Sequence, residues 1–186
     1  NFTQALSNIL LLCLLVPARL GAQEEKEERS SPYCQDISDK KAISFYEKGK
    51  DRKKYKKPER LQFLMKALEL EPDFAEANLA MGFELAARCK LENKPFTPTV
   101  PFFMKAIALC PQIHSDPYYY IGFDYYERRM NDSAIKYLDK YIAFKDDDEK
   151  KYAKEYQGQM YQAKMMVKSA KKENALRKNV QFDPKW

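Results

Sequence analysis

The residues that could do chemistry are few and widely spaced. One histidine, His114, stands in the turn after Pro111. General acid–base or nucleophilic catalysis needs a base within hydrogen-bond reach of a group that it activates. His114 belongs to no such constellation and reads as a solvated or capping turn residue. Zinc is not expected, because no pair of cysteines has ligand spacing and one histidine cannot complete a tetrahedral site. No glycine-rich loop could cradle a phosphate. The acidic run Asp146-Asp147-Asp148 reads as a helix start, where negative charge complements the backbone dipole. Asn131-Asp132-Ser133 is an N-glycosylation sequon, meaningful only in a eukaryotic secretory cell. The expectation is therefore no catalytic residue, no metal, no cofactor and no small-molecule substrate.

The elements that carry these residues look helical. The chain has 186 residues, 45% apolar and 32% charged, which fits one globular domain. Only 5 glycines stand against 13 tyrosines and 11 phenylalanines, a balance that suits packed helices better than loop-rich β structure. The formal charge is +6, with Lys and Arg interleaved among Glu and Asp, so the surface reads as solvated and not as a nucleic-acid face.

The chain opens on the apolar run Ile9–Val16 (ILLLCLLV), followed by the small pair Gly21-Ala22. The run is shorter than the about 20 residues that span a bilayer. It matches a secretory h-region of about 7–15 residues, so 1–22 is expected to be a signal peptide. A buried N-terminal helix is the alternative. Residues 23–36 form a polar leader. Without 1–22 three cysteines remain (Cys34, Cys89 and Cys110), an odd number that leaves at least one thiol unpaired within a monomer.

From Ile37 the pattern turns periodic. Ser38-Asp39 offers a helix cap, and Ala42, Phe45, Tyr46 and Gly49 follow at helical spacing. Lys66-Ala67-Leu68-Glu69-Leu70-Glu71-Pro72 matches Lys105-Ala106-Ile107-Ala108-Leu109-Cys110-Pro111. Each proline is followed by a helix that leads to a glycine, Gly82 and Gly122, with Gly49 in the matching place of an earlier unit. Small residues let two helices approach closely, and proline stops the helix before it. The segment Lys90–Val100 lengthens the second unit. Its Pro95 and Pro98, with Pro101 after it, predict a stiff, extended loop, either on a binding face or as a plain surface turn. Tyr152, Tyr156, Met160, Ala163, Val167 and Ala170 predict a long final helix, begun by the run Lys145–Lys151, that caps the last unit.

These motifs resemble the tetratricopeptide repeat, a helix–turn–helix unit of about 34 residues. Tyr118, Ile121-Gly122, Tyr125, Ala134 and Leu138 carry the likeness in the third unit. Met81-Gly82, Leu85, Phe103, Ala106 and Pro111 carry it in the second, and Gly49, Leu64, Ala67 and Pro72 in the first. The resemblance implies an all-α, right-handed solenoid of about three units over 37–176 with a C-terminal capping helix. It also implies a concave groove, lined by first helices, that binds a protein or peptide. The matching positions are Tyr46 and Lys50, then Leu79, Phe83 and Ala86, then Tyr119, Phe123 and Tyr126. The tyrosines of Pro117–Tyr126 occupy more than one helix face, so some are core and others can face the groove.

Cys34 precedes the first helix and Cys110 ends a second helix, on the same edge of the repeat. Cys89 ends a first helix on the opposite edge. A Cys34–Cys110 disulfide fits this placement, and so does a set of reduced thiols. The signal segment, Cys34-Gln35-Asp36, the repeats and the tail 177–186, with Phe182-Asp183-Pro184, are similar to the N-terminal region of exported envelope proteins. In that family the repeats precede a β-propeller and an OmpA-like domain and support type IX secretion and gliding. The resemblance implies a periplasmic scaffold, associated with the outer membrane through other domains or partners. A chaperone-like module that captures unfolded exported segments is the alternative.

Overall fold

The computed structural model describes residues 32–146 and 157–181. The expected signal segment, Tyr152, Tyr156 and the tail from 182 onward lie outside the described residues. Regular structure among the described residues is entirely helical: α1 Lys40–Lys50, α2 Lys57–Leu70, α3 Ala75–Leu91, a 3-10 turn Thr97–Thr99, α4 Val100–Leu109, α5 Asp116–Glu127, α6 Asn131–Asp146 and α7 Gln157–Gln181. Each helix packs on the next in chain order, so the protein is an all-α helical-repeat arrangement of three hairpins and a final helix.

The three glycines explain the hairpins. A Cβ on Gly49 would sit 2.6 Å from the Leu64 side chain, one on Gly82 2.5 Å from the Phe103 ring, and one on Gly122 2.7 Å from the Leu138 side chain. In each hairpin a first-helix glycine thus receives a large side chain of the second helix. Leu64, Phe103 and Leu138 are fully buried there. Close approach, not backbone freedom, is the reason for glycine.

The turns repeat as well. Asp39 caps α1 by accepting the N–H groups of Lys41 and Ala42. The Glu71 N–H closes α2 on the Ala67 carbonyl, and the Cys110 N–H closes α4 on the Ala106 carbonyl, both at 2.9 Å. The Asn78 side chain donates to the Pro72 carbonyl at 3.0 Å, and the Tyr118 hydroxyl donates to the Pro111 carbonyl at 2.9 Å. Two unlike residues thus satisfy the equivalent proline carbonyl just past each second helix. Helices α3 and α5 both end in a left-handed residue, Asn93 (φ 51°) and Arg129 (φ 59°). The following N–H groups, of Lys94 and Met130, return to the carbonyls of Cys89 and Tyr125, which makes each end a Schellman motif.

The segment Lys90–Val100 is less extended than its prolines predict. Helix α3 runs to Leu91, and Pro98 and Pro101 each stand in the first turn of a helix, of the 3-10 type and of α4 respectively. Proline is tolerated there because a first-turn N–H has no helical partner to lose. Phe96 folds inward against the Tyr120 and Phe123 rings, at 5.0 and 5.6 Å. The Thr97 hydroxyl donates to the buried Asp124 carboxylate at 2.6 Å.

The final helix also differs from the sequence reading. Helix α6 continues through Lys145 and Asp146, and α7 is described over Gln157–Gln181; the rest of the run, 147–151, lies outside the described residues. Lys145 belongs to the third hairpin because its ammonium is buried 3.7 Å from Asp116 at the start of α5. Ala163, Met166 and Val167 of α7 join the main core, and Ala170 on the same stripe is also buried. Tyr119 meets Gln162 and Tyr126 meets Ser169, both at a sequence separation of 43. A constant separation means that α7 runs parallel to α5, in the register of one more first helix.

Two clusters fill the interior. The larger runs from α3 to α7 around Phe103, Ile121, Leu138 and Tyr141. The smaller joins α1, α2 and the start of α3 around Ala67, Phe74 and Ala77, with Tyr33 and Ile37 of the leader laid on it. Between hairpins one and two the Arg60 guanidinium donates to both Glu84 oxygens at 2.9 Å, with both side chains buried.

Candidate partner-binding surface

The expected groove residues divide by hairpin. In hairpin one, Tyr46 is half-buried. Its ring lies 4.8 Å from Phe74 and 5.9 Å from Tyr33, and the Lys50 ammonium stands 5.1 Å above it. Burial, aided by the nearby Glu47 and Glu76 carboxylates, pushes the Tyr46 phenol up to about 12. The leader therefore covers part of this position. Lys50 is exposed and pairs with Glu47 at 3.0 Å.

In hairpin two, Leu79 and Phe83 are partly buried and Ala86 is wholly so. The Phe83 ring sits edge-on to Phe103 at 5.4 Å and to His114 at 5.3 Å. Lys50 and Phe83 come together around a cavity of about 130 Å³, with Gly49, Leu64, Ala80 and Glu84 as its other main walls. Here expected residues from two hairpins share a concavity.

Hairpin three corrects the reading at Tyr119. Tyr119 is 5% exposed and belongs to the core. Its hydroxyl donates to Gln162 Oε1 at 2.8 Å, its ring lies 5.3 Å from Tyr141, and burial pushes its phenol up to about 12. Phe123 is screened by Phe96, and Tyr126 donates to Ser169 of α7 at 3.1 Å. Tyr119 and Tyr126 thus contact α7, and Phe123 contacts Phe96 of the segment before α4.

His114 does cap. Its Nδ1 accepts the Asp116 N–H at 3.1 Å. Burial lowers the imidazole pKa, Asp116 opposes that and Lys145 adds to it. Cys34 and Cys110 are disulfide-bonded, with Cα atoms 6.0 Å apart, and Cys89 is a buried free thiol. Asn131 of the sequon is 5% exposed, and its amide donates to Asn174 of α7. A glycan at that nitrogen would displace α7. Among the described residues no group of three or more His, Cys, Asp or Glu side chains converges on a metal position, and no helix is long and apolar enough to cross a membrane.

One surface escaped the reading of interleaved charge. From Lys48 to Lys57 the chain carries seven cations (Lys48, Lys50, Arg52, Lys53, Lys54, Lys56 and Lys57) against the single acid Asp51. The signal was the local run KGKDRKKYKK, hidden by averaging over the whole chain. The turn between α1 and α2 gathers part of it around an open hollow of about 700 Å³.

Comparison with protein-family models and with characterised proteins returns no match to this chain.

Proposed function

We propose that this chain is a non-catalytic scaffold of the tetratricopeptide type that holds a protein partner in the bacterial cell envelope, in support of an outer-membrane secretion or motility assembly. The observation that carries the binding role is the cavity between the first helices of hairpins one and two, where exposed Lys50 and half-buried Phe83 meet. An apolar ring at the floor and a cation at the rim suit a peptide with an apolar anchor. The recurring glycine contacts of the hairpins support the repeat assignment. The Cys34–Cys110 bond supports an oxidising compartment such as the periplasm.

The test is photocrosslinking in living envelope with p-benzoylphenylalanine at position 83, and at position 65 as a control. Met65 is 53% exposed on α2, away from the cavity. One dominant adduct from position 83 alone is expected. A broad ladder of unfolded clients would replace the scaffold by the chaperone-like reading. Equal labelling from both positions, or no adduct, would remove the binding role from this cavity.

A further inference from the structure

We infer that the turn between α1 and α2 is an electrostatic docking site for an extended acidic segment of a partner protein. This deepens the binding role proposed above and rests on it. The hollow of about 700 Å³ is lined by five cations, Lys48, Lys50, Arg52, Lys53 and Lys54, and by the two acids Glu47 and Asp51; Lys50 pairs with Glu47 at 3.0 Å and Arg52 with Glu84 at 3.4 Å. The Lys53 and Lys54 ammonium groups form no ion pair among the described residues, while Lys54 lies over the Tyr55 ring at 5.4 Å. Asp51 shapes the turn: its carboxylate oxygen Oδ1 accepts the backbone N–H groups of Lys53 and Lys54 at 3.0 Å, and with Glu47 it leaves the cations of the wall in excess, five against two. Lys53 and Lys54 are thus exposed cations on a turn held by Asp51.

Composition selects the class of partner. The hollow is wide open to solvent, so composition decides between a bilayer and a chain. A membrane patch carries exposed apolar side chains beside its lysines, and none of the large hydrophobics that are exposed lies between Ser44 and Lys57. A nucleic-acid groove adds aromatic platforms on which bases stack. Here the one aromatic wall, Tyr55, is already engaged edge-on by Phe63 at 4.9 Å and covered by Lys54. An extended chain with spaced carboxylates can enter the hollow and reach each ammonium in turn. Lys50 and Arg52 also line the cavity that holds Phe83, so the acidic stretch would run directly into the apolar anchor position.

The experiment is fluorescence anisotropy of a fluorescein-labelled peptide of alternating glutamate and serine, titrated with the full chain. The test variant is Lys50→Glu/Lys53→Glu/Lys54→Glu. The matched control, Lys164→Glu/Lys168→Glu/Lys172→Glu, reverses the same charge on the exposed face of α7. Binding should weaken at least about tenfold in the test variant and less than about twofold in the control, and should weaken as salt rises from about 50 to about 300 mM. Circular dichroism of both variants checks that each keeps the wild-type helical signal, so that a loss of binding reads charge and not unfolding. Equal loss in the two variants, or no binding to the wild type, overturns the site. Tighter binding to phosphatidylglycerol vesicles or to oligo-dT, lost in the same test variant, overturns the assignment to an acidic protein segment. The photocrosslinking above reads the Phe83 cavity whatever the charge of this turn, so the two proposals can fail separately.

Discussion

Cutting the Cys34–Cys110 bond should be the most damaging change that removes no packed side chain. The bond spans a sequence separation of 76 and encloses hairpins one and two. Closing a loop of that length in the unfolded chain corresponds to about 4.5 kcal/mol near 25 °C. Part of this is returned on reduction, because the leader regains freedom in the folded protein too. It is held otherwise by Tyr33 packed edge-on against Phe74, by the Cys34 N–H on Glu76 and by the Ser38 hydroxyl on Glu71. A net loss of about 3–4 kcal/mol is expected for Cys34→Ser/Cys110→Ser, a large share of the about 5–15 kcal/mol that holds a domain together. The assay is urea unfolding followed by far-UV circular dichroism, for wild type and variant, with and without dithiothreitol. The midpoint should fall in the variant and in reduced wild type alike, and the denaturant slope should rise, because the uncrosslinked unfolded chain is more expanded. Cys89 is buried and unpaired, so reductant should leave the variant unchanged. A wild-type loss below about 1 kcal/mol on reduction, or a variant as sensitive to reductant as the wild type, would refute the reasoning.

Three further changes test the interior. Tyr119→Ala should destabilise by about 3–5 kcal/mol in a denaturation series, as a large buried aromatic does, whereas a surface residue would change stability by less than about 0.5 kcal/mol. Glu84→Gln strips the charge that faces buried Arg60 and should cost about 3 kcal/mol or more; adding Arg60→Met should recover much of that in a double-mutant cycle, since no charge is then left buried. The pKa of His114 is lowered by folding, so its contribution is complete above the unfolded value of about 6.5 and is lost as pH falls below it toward the folded value. Urea midpoints of wild type and His114→Gln should therefore converge as pH drops through that window, and parallel profiles would show that the imidazole is not the responsible group.

Helix class, the hairpin glycines and the proline stops were legible because each is a local signal. A glycine opposite Leu64, Phe103 or Leu138 announces itself by recurring at the same place before the same motif. The stripe Ala163, Val167 and Ala170 announced a packed final helix for the same reason. The groove was less legible. Tyr119, Phe123 and Tyr126 have residue types that suit a binding surface, and nothing in their neighbours along the chain says that α7 engages the two tyrosines or that Phe96 packs on Phe123. Their partners Gln162 and Ser169 stand 43 residues away and become neighbours only because α7 runs parallel to α5.

The same division separates the polar contacts. Residue spacing sufficed for the Asp39 cap, since the carboxylate and the N–H groups that it accepts lie within three residues. It could not pair Arg60 with Glu84, nor bring Phe96 onto Phe123, because those contacts depend on the angle at which one helix crosses another and on the path of the chain between α3 and α4. Periodicity states which face of a helix is apolar. Which neighbour covers that face, and so which residues remain for a partner, is decided by packing, where side chains far apart in sequence compete for the same buried space.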